Sequence, residues 1–222
     1  MVRSSLCSRH NQFSNLSITI NINTFNSQIR QAVNQDNPQK ALTLFRELKQ
    51  LGLQPNNLTF PFLSKACAKL SSLGHSKIIH THVIKSPFHF NVFVQTALVD
   101  MYMKCHQVEL AYKVFVKMPE RDVAAWNVML LGFSQLGFSD RVFWMFREMR
   151  FDGILPDSVT VMGVSRAILA VRELELAKGV HSYGVRSGID SEVSVSNTWI
   201  SLYAKCGDLA MAESDAVGWI LS

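Results

Sequence analysis

The chain has 222 residues, of which 48% are apolar and 18% charged, and its formal net charge is +5. This composition excludes a disordered chain, because such chains are poor in apolar residues and rich in charge. No stretch approaches the roughly 18 uninterrupted apolar residues that a membrane-spanning helix needs. The small positive charge favours polyanionic partners.

The N-terminal segment, residues 1–21, is basic and rich in serine. The first acidic residue of the chain is Asp36, and Arg3 and Arg9 precede it. Arginine and serine without acidic residues are typical of organelle transit peptides. We therefore predict that residues 1–21 are a transit peptide, with the mitochondrion as destination and the chloroplast as the alternative. An N-terminus that merely lacks acidic residues is the other interpretation.

The chain repeats itself after 101 residues. With this offset LFRELKQLGLQPN at 44–56 aligns with MFREMRFDGILPD at 145–157, and MYMKC at 101–105 aligns with LYAKC at 202–206. Each unit divides into blocks of 35, 35 and 31 residues, so internal repeats decide the fold. We place the blocks at 22–56, 57–91, 92–122, 123–157 and 158–192, with a partial block at 193–213.

Each block is predicted to form two helices. In the first block Asn37 suits the N-cap of the second helix, Pro38 its first position and Gly52 a left-handed C-terminal cap. The apolar residues of this helix follow helical spacing and are predicted to face the core: Ala41, Leu42, Phe45, Leu48 and Leu51. Six residues are predicted to occupy the same position near the start of their blocks: Phe25, Phe60, Gln95, Trp126, Val161 and Ser196. A single hairpin cannot bury both its faces, so the repeats predict a helical solenoid.

The C-terminal tail, residues 214–222, departs from the repeat pattern. Its apolar residues would lie at an open end of the solenoid, where a polar cap is normally required. These residues are Val217, Trp219, Ile220 and Leu221. We expect from this that the chain is a truncated gene product or a partial gene model.

The repeats resemble a known family. VAAWNVMLLGFSQLGFSDRVFWMFREMRFDGILPD at 123–157 resembles a pentatricopeptide repeat (PPR), and the order 35, 35, 31 resembles the plant PLS subclass. KACAKLSSLG at 65–74 is typical of its long-variant block, and ALVDMYMKC at 97–105 with KMPERD at 117–122 is typical of its short one. The resemblance implies an all-α fold, a right-handed α-solenoid of stacked antiparallel helix hairpins. It also implies a groove for single-stranded RNA, with one base read per repeat by two or three side chains.

In that family the fifth and last residues of each repeat choose the base. The implied base readers are, in chain order, Asn26 with Asn56 (a pyrimidine, cytosine preferred), Thr96 with Asp122 (guanine), Asn127 with Asp157 (uracil) and, without a partner, Asn197. The long-variant repeats carry Pro61 with Asn91 and Met162 with Glu192. Because proline and methionine side chains donate no hydrogen bond, these two repeats are expected to read little. The implied target is 5′-pyrimidine, any, G, U, any, any-3′.

Asn26 and Asn127 also have a local interpretation. Asparagine is common at helix N-termini, where it caps the backbone. The recurrence of asparagine at an offset of 101 residues, and of Asn197 at the same place in the sixth block, favours base reading.

Three lysines share a second repeat position. Lys69, Lys104 and Lys205 are predicted near the end of a first helix, where an amine could reach an RNA phosphate. Ordinary solvated lysines are the alternative.

Enzyme chemistry is not expected. Plant relatives of this subclass often end in a zinc-dependent cytidine deaminase-like domain, which needs a His-x-Glu and a CxxC motif. This sequence contains neither, so we expect no such C-terminal extension, no metal site and no cofactor. The cysteines are predicted to be reduced, buried thiols: Cys7, Cys67, Cys105 and Cys206. His80, whose counterpart is His181, is predicted to pack between repeats.

The functional hypothesis is an organellar, sequence-specific RNA-binding protein. It would position single-stranded transcripts for C-to-U editing or processing by partner proteins supplied in trans, with no membrane or small-molecule substrate. Two alternatives stay open: a helical scaffold that binds proteins, and a fragment without a function of its own.

Overall fold

The structure is a computed structural model that describes residues 21–213. Regular structure in this range is entirely helical, as predicted, and the all-α fold is confirmed. The helices are α1 Ile22–Asn34, α2 Pro38–Gln50, α3 Thr59–Lys69, α4 Leu73–Ile84, α5 Val92–Lys104, α6 Val108–Val116, α7 Val123–Gln135, α8 Ser139–Phe151, α9 Ser158–Val171, α10 Leu174–Ser187 and α11 Val193–Cys206. A short 3-10 helix lies at Ile189–Ser191, and a further helical segment begins at 209.

Each odd-numbered helix and the helical segment that follows it form a hairpin closed by a left-handed residue. These residues follow the first helix by one or two positions and have φ between +47° and +88°: Asp36, Ser71, His106, Gly137, Arg172 and Gly207. In five of the six turns the amide of the following residue bonds back to the helix, as in the bond of 2.9 Å from Phe138 N to Phe133 O. This is the Schellman arrangement, which satisfies a carbonyl at the helix end and reverses the chain. After α9 the bond of 2.7 Å runs from Arg172 N to Ile168 O.

The hairpins stack into a solenoid with two layers. Odd-numbered helices pack against the next odd-numbered helix all the way from α1 to α11, whereas no two even-numbered helices of the described chain form a comparable contact. Because the odd-numbered helices lie closer together, the array curves toward them. The odd-numbered helices therefore line the concave side of the molecule. The even-numbered helices form the other layer, which we call the outer layer.

One continuous core lies between the two layers. The equivalent place predicted in all six blocks is buried in each, with exposed fractions of 8% or less: Phe25, Phe60, Gln95, Trp126, Val161 and Ser196. The core of α2 is as predicted except at Leu51, which is 56% exposed. The prediction for Leu51 was wrong because the helix ends at Gln50 and Leu51 becomes its C-cap, so the helical period no longer applies.

The short third block is explained by one short helix. α6 has 9 residues, whereas α2, α4, α8 and α10 have 12 to 14. The block length of 31 instead of 35 corresponds to about one helical turn. The turn is lost from the outer layer, so the stacking of the odd-numbered helices is preserved.

The described cysteines carry no disulfide. Cys67 and Cys105 are buried free thiols, as predicted, and Cys206 is partly exposed; Cys7 lies outside the described residues. Burial, with a smaller effect of neighbouring Cys105, raises the pKa of Cys67 to about 12, which makes this thiol unreactive. Among the described helices, not one has the length and apolarity to span a bilayer.

Candidate nucleic-acid interface

Asn26 and Asn56 meet at the junction between the first two repeats. Asn26 lies in α1 and donates from Nδ2 to Asn56 Oδ1 at 3.1 Å. Thr59, at the start of α3, donates its hydroxyl proton to Asn26 Oδ1 at 2.7 Å. The same hydroxyl accepts the backbone amide of Asn56 at 3.0 Å. These three residues form a closed network on the side where the odd-numbered helices begin.

The same network recurs between the fourth and fifth repeats. Asn127 Nδ2 donates to Asp157 Oδ1 at 2.9 Å, and the Thr160 hydroxyl donates to Asn127 Oδ1 at 2.6 Å. The Asp157 amide donates to the Thr160 hydroxyl at 3.1 Å. The two networks differ in one group, the amide of Asn56 against the carboxylate of Asp157. We call them the first and fourth triads.

The capping interpretation is wrong for both asparagines in the odd-numbered helices. α1 is capped by Asn21, which accepts from Thr24 N at 3.0 Å, and α7 by Asp122, which accepts from Ala125 N at 2.8 Å. Asn26 and Asn127 lie inside the helices and are 8% and 6% exposed. Each donates to its triad partner and does not cap a helix.

The last residues of the two repeats bond instead to the backbone at the start of the next odd-numbered helix. Asn56 Oδ1 accepts the amides of Leu58 and Thr59 at 3.0 and 3.1 Å. Asp157 Oδ1 accepts the Thr160 amide at 2.9 Å and completes a capping box at the start of α9. One atom of each side chain is thereby fixed, and the other atom has no partner among the described residues.

The free atoms of the two triads have opposite hydrogen-bonding character. Burial alone would raise the pKa of Asp157, but hydrogen bonds from the Thr160 amide, Asn127 and the Thr160 hydroxyl outweigh burial and hold that pKa below its ordinary 3.8. At neutral pH Asp157 is a carboxylate, so Oδ2 only accepts. In Asn56 the corresponding free atom is Nδ2, which only donates.

Thr96 and Asp122 of the third repeat are not joined in this way. Asp122 caps α7, and no hydrogen bond links it to Thr96 in the described chain. The Thr96 hydroxyl is buried and has no hydrogen-bond partner among the described residues. Ala125 stands where the two triads have threonine.

The remaining predicted positions form no pair. Asn197 is exposed in the first turns of α11, and no closing residue for its repeat lies in the described range. In the second repeat Asn91 caps α5 by accepting Val94 N at 3.1 Å, and its partner position is Pro61. In the fifth repeat the positions hold Met162 and Glu192, without a side-chain hydrogen bond between them.

Sequence reasoning missed two further features of the junctions. The first is the threonine of each triad. The second is a set of exposed apolar side chains at the second position of the second, third and fifth repeats: Leu58 at 50%, Phe93 at 59% and Val159 at 36% exposed. Apolar side chains at such a place offer stacking faces to RNA bases. Their signal was present in the sequence, since they are apolar at a repeat position two residues before the buried position of Phe60, Gln95 and Val161.

The three predicted phosphate-contact lysines differ in their surroundings. Lys69 Nζ donates to Val33 O at 3.0 Å and pairs with Asp36 at 2.7 Å. Lys104 pairs with Asp100 at 2.7 Å within α5. Lys205 is exposed and forms no ion pair with another described residue. All three lie at the C-terminal ends of odd-numbered helices.

The histidine prediction is confirmed for His80. Its Nδ1 lies 2.9 Å from Tyr102 Oη, and the equivalent His181 contacts Tyr203 at the same distance. Burial, with the nearby charge of Lys117, lowers the pKa of His80, so the ring is neutral at pH 7. No cluster of three or more His, Cys, Asp or Glu side chains suited to a metal occurs within residues 21–213.

Comparison with known proteins decides the family. A PPR repeat family model matches residues 20–69, and PPR repeat matches cover 96–123, 124–154 and 194–214. These segments together make up more than half of the chain. The chain belongs to the PPR repeat family.

Relatives of this PPR protein are longer than the chain. A mitochondrial pentatricopeptide repeat-containing protein of Arabidopsis thaliana is 50% identical over 204 residues, which cover 92% of the chain and 31% of the relative. A chloroplastic one from the same plant is 36% identical over 188 residues, covering 81% of the chain and 23% of the relative. The chain therefore spans less than a third of either protein.

A solved structure shows the same fold. The pentatricopeptide repeat protein PPR10, in complex with an 18-nt psaJ RNA element, matches with a TM-score of 0.71 and 18% sequence identity. The match covers 92% of this chain and 30% of that one. The predicted α-solenoid is thereby confirmed.

Proposed function

We propose that this PPR protein binds single-stranded RNA and selects bases at individual repeats. The observation that carries the proposal is the pair of triads, which share their geometry and differ only in the free atom of the last residue. Cytosine N3 is an acceptor, which suits the free Nδ2 of Asn56. Uracil N3–H is a donor, which suits the free Oδ2 of Asp157. The second amide proton of Asn26 or Asn127 suits the O2 carbonyl that both pyrimidines carry.

The proposal extends to the third repeat and to the lysines. The unpartnered hydroxyl of Thr96 supports its assignment, with Asp122, to guanine. Lys69, Lys104 and Lys205 lie about 12 Å along the odd-numbered helices from the base-selecting position, by the rise per residue. We propose that they contact phosphates, with Lys205 the least engaged in protein contacts.

The cellular part of the proposal rests on the relatives. The block order and the short α6 support assignment to the PLS subclass. Relatives named as mitochondrial and chloroplastic support an organelle, with the mitochondrion first, and residues 1–21 as its transit peptide. We propose that the bound transcript is presented for C-to-U editing or processing by factors supplied in trans, and that this chain acts as a binding module without catalysis.

The test exchanges the single difference between the triads. Asn56→Asp should move the preference at the first RNA position from cytosine to uracil, and Asp157→Asn should move the fourth from uracil to cytosine. Each change should be about 1–3 kcal/mol, the usual effect of a matched base contact. The measurement is titration of short RNAs that differ only at the first or fourth nucleotide, at fixed salt.

Each variant is the control for the other, because each should leave the second triad's preference unchanged. Equal binding of all RNAs by the parent protein, or preferences that do not follow the exchange, would overturn the proposal.

A protein-binding scaffold is a second candidate, favoured by the outer layer. A groove of about 300 Å³ lies between α2 and α4. It is lined by Leu42, Phe45, Arg46, Lys49, His75, Ile78, Ile79 and His82. A protein with only this role would show no salt-dependent RNA affinity, so the titration separates the two candidates.

A further inference from the structure

The threonine of each triad directs its single hydroxyl proton. The Thr59 hydroxyl oxygen accepts the backbone N–H of Asn56, so the hydroxyl proton is left to bond to an acceptor elsewhere. Asn26 Oδ1 lies at 2.7 Å and Asn56 Oδ1 at 3.0 Å, which makes Asn26 the closer acceptor. In the fourth triad the corresponding distances from Thr160 are 2.6 Å to Asn127 and 2.9 Å to Asp157.

The threonine hydroxyl proton favours one orientation of the asparagine side-chain amide. A carboxamide has nearly the same shape after a rotation of 180°, but its donor and acceptor exchange places. In the observed orientation Asn127 Oδ1 faces the threonine proton and Nδ2 faces the carboxylate. The rotated amide would place Oδ1 against the acceptor-only oxygen of Asp157 and withdraw the acceptor from Thr160. Thr59 and Thr160 are themselves buried, with 0% and 1% exposure, so solvent does not compete for the hydroxyl.

We propose that Thr59 and Thr160 are positioning residues for base selection, which act by holding Asn26 and Asn127 with their donor edge toward the RNA. This inference rests on the proposed function, because it assigns the threonines a role in the same base-selecting site. The threonines touch no base. They belong to the repeat that follows the one whose selectivity they set, so each selecting unit spans two repeats. The third repeat, which has Ala125 at this place, selects its base without such a positioning residue.

The test compares an isosteric and a conservative change at one threonine. Thr160→Val keeps the shape and removes the hydroxyl, and Thr160→Ser keeps the hydroxyl. We expect Thr160→Val to reduce the preference for uracil over cytosine at the fourth RNA position about 3- to 10-fold, the effect of one lost hydrogen bond. Thr160→Ser should restore most of it, and the preference at the first position should stay unchanged in both variants.

A second readout keeps the inference independent of stability and of RNA binding. The Asn127 side-chain amide protons should give a distinct pair of NMR resonances in the free parent protein and the serine variant. They should move toward averaged, solvent-like positions in the valine variant. Thr59→Val provides the same comparison at the first triad if Thr160→Val does not fold.

The outcomes separate this inference from the proposed function. A parent protein that binds RNA without base preference overturns the proposed function. A parent that discriminates, together with a valine variant that discriminates equally well, overturns the positioning role. Uniformly weaker binding with unchanged preference assigns Thr160 to helix capping alone and also overturns it.

Discussion

Asn56 and Asp157 each serve two helices with one side chain. One oxygen accepts a backbone amide at the start of the helix that follows and also accepts from the asparagine of the helix before it, and the remaining atom stays free. A residue that caps a helix is held in one rotamer, so its free atom has a fixed position before any ligand arrives. The proposed function therefore links stability and selectivity at the same residue.

A single substitution in the third repeat should change the base that this repeat prefers. Thr96→Asn creates with Asp122 the same pair as in the fourth triad, so the preferred base should change from guanine toward uracil by about 1–3 kcal/mol. The single variant still lacks the positioning threonine. Thr96→Asn combined with Ala125→Thr should therefore prefer uracil more strongly than Thr96→Asn alone.

The measurement for this prediction is titration against four RNAs that differ only at the third nucleotide, with the fourth position as internal control. Ala125 is fully buried, as are Thr59 and Thr160 at the same place, so two junctions already accommodate the larger side chain. A preference that stays with guanine in both variants would show that Thr96 does not read a base.

Much of the site could be predicted at the residue level, and the reason is the repeat. A pair separated by 30 positions carries meaning only once the period is known, and the offset of 101 residues provided that register. The threonines could not be predicted in the same way. Near a helix start, threonine is typical of capping, and Thr160 does take part in a capping box. Its second bond, to a side chain 33 positions earlier, has no local sequence signal.

At the scale of helices, close approach depends on small residues at defined points. An added Cβ at Gly184 in α10 would lie 2.9 Å from Cζ2 of Trp199 in α11. Trp199 is only 2% exposed and its ring centroid lies 4.9 Å from that of His181, so its ring has little room to move. Gly179, in the same helix, has no other atom within 4 Å of its added Cβ.

These two glycines make a matched pair for measurement. Gly184→Ala should lower the free energy of unfolding by about 1–3 kcal/mol through overpacking. Gly179→Ala should raise it by up to about 1 kcal/mol, because alanine is the better helix former. Urea denaturation of both variants and the parent tests the pair. Equal effects of the two substitutions would mean that α10 and α11 do not pack as closely as the structure has them.

The helices were predictable because their signals are local, and the hairpin turns only partly so. Asn37 caps α2 through its bond to Lys40 N at 3.1 Å, as its place in the sequence indicated. The left-handed turn residues were less evident, since four of six are not glycine. Asp36, Ser71, His106 and Arg172 adopt this conformation because stacking on both sides fixes the reversal, and their own preference is overridden.

At the scale of the whole molecule, the closer packing of one layer determines which surface is concave. The sequence predicted a solenoid, but it could not predict the concave side, because curvature depends on side-chain volumes at every junction. Gly132 in α7 lets that helix approach Met103 in α5, and Gly184 in α10 lets that helix approach Trp199 in α11. The triads lie where odd-numbered helices begin, and the three lysines lie where such helices end.

That placement leads to a prediction about charge. The logarithm of the RNA-binding constant should fall linearly with the logarithm of salt concentration, with a slope of about −0.7 for each phosphate neutralised on a single strand. Lys205 is exposed without a described ion-pair partner, so Lys205→Ala should reduce the slope by about one such increment and weaken binding to all sequences alike.

Lys178 in α10 belongs to the outer layer and lies 3.1 Å from Glu175. Lys178→Ala carries the same change in net charge and should leave the slope unaltered. Titrations at four salt concentrations with a single RNA measure both slopes. If the two variants reduce the slope equally, the RNA responds to overall charge and the odd-numbered helices do not contact its phosphates.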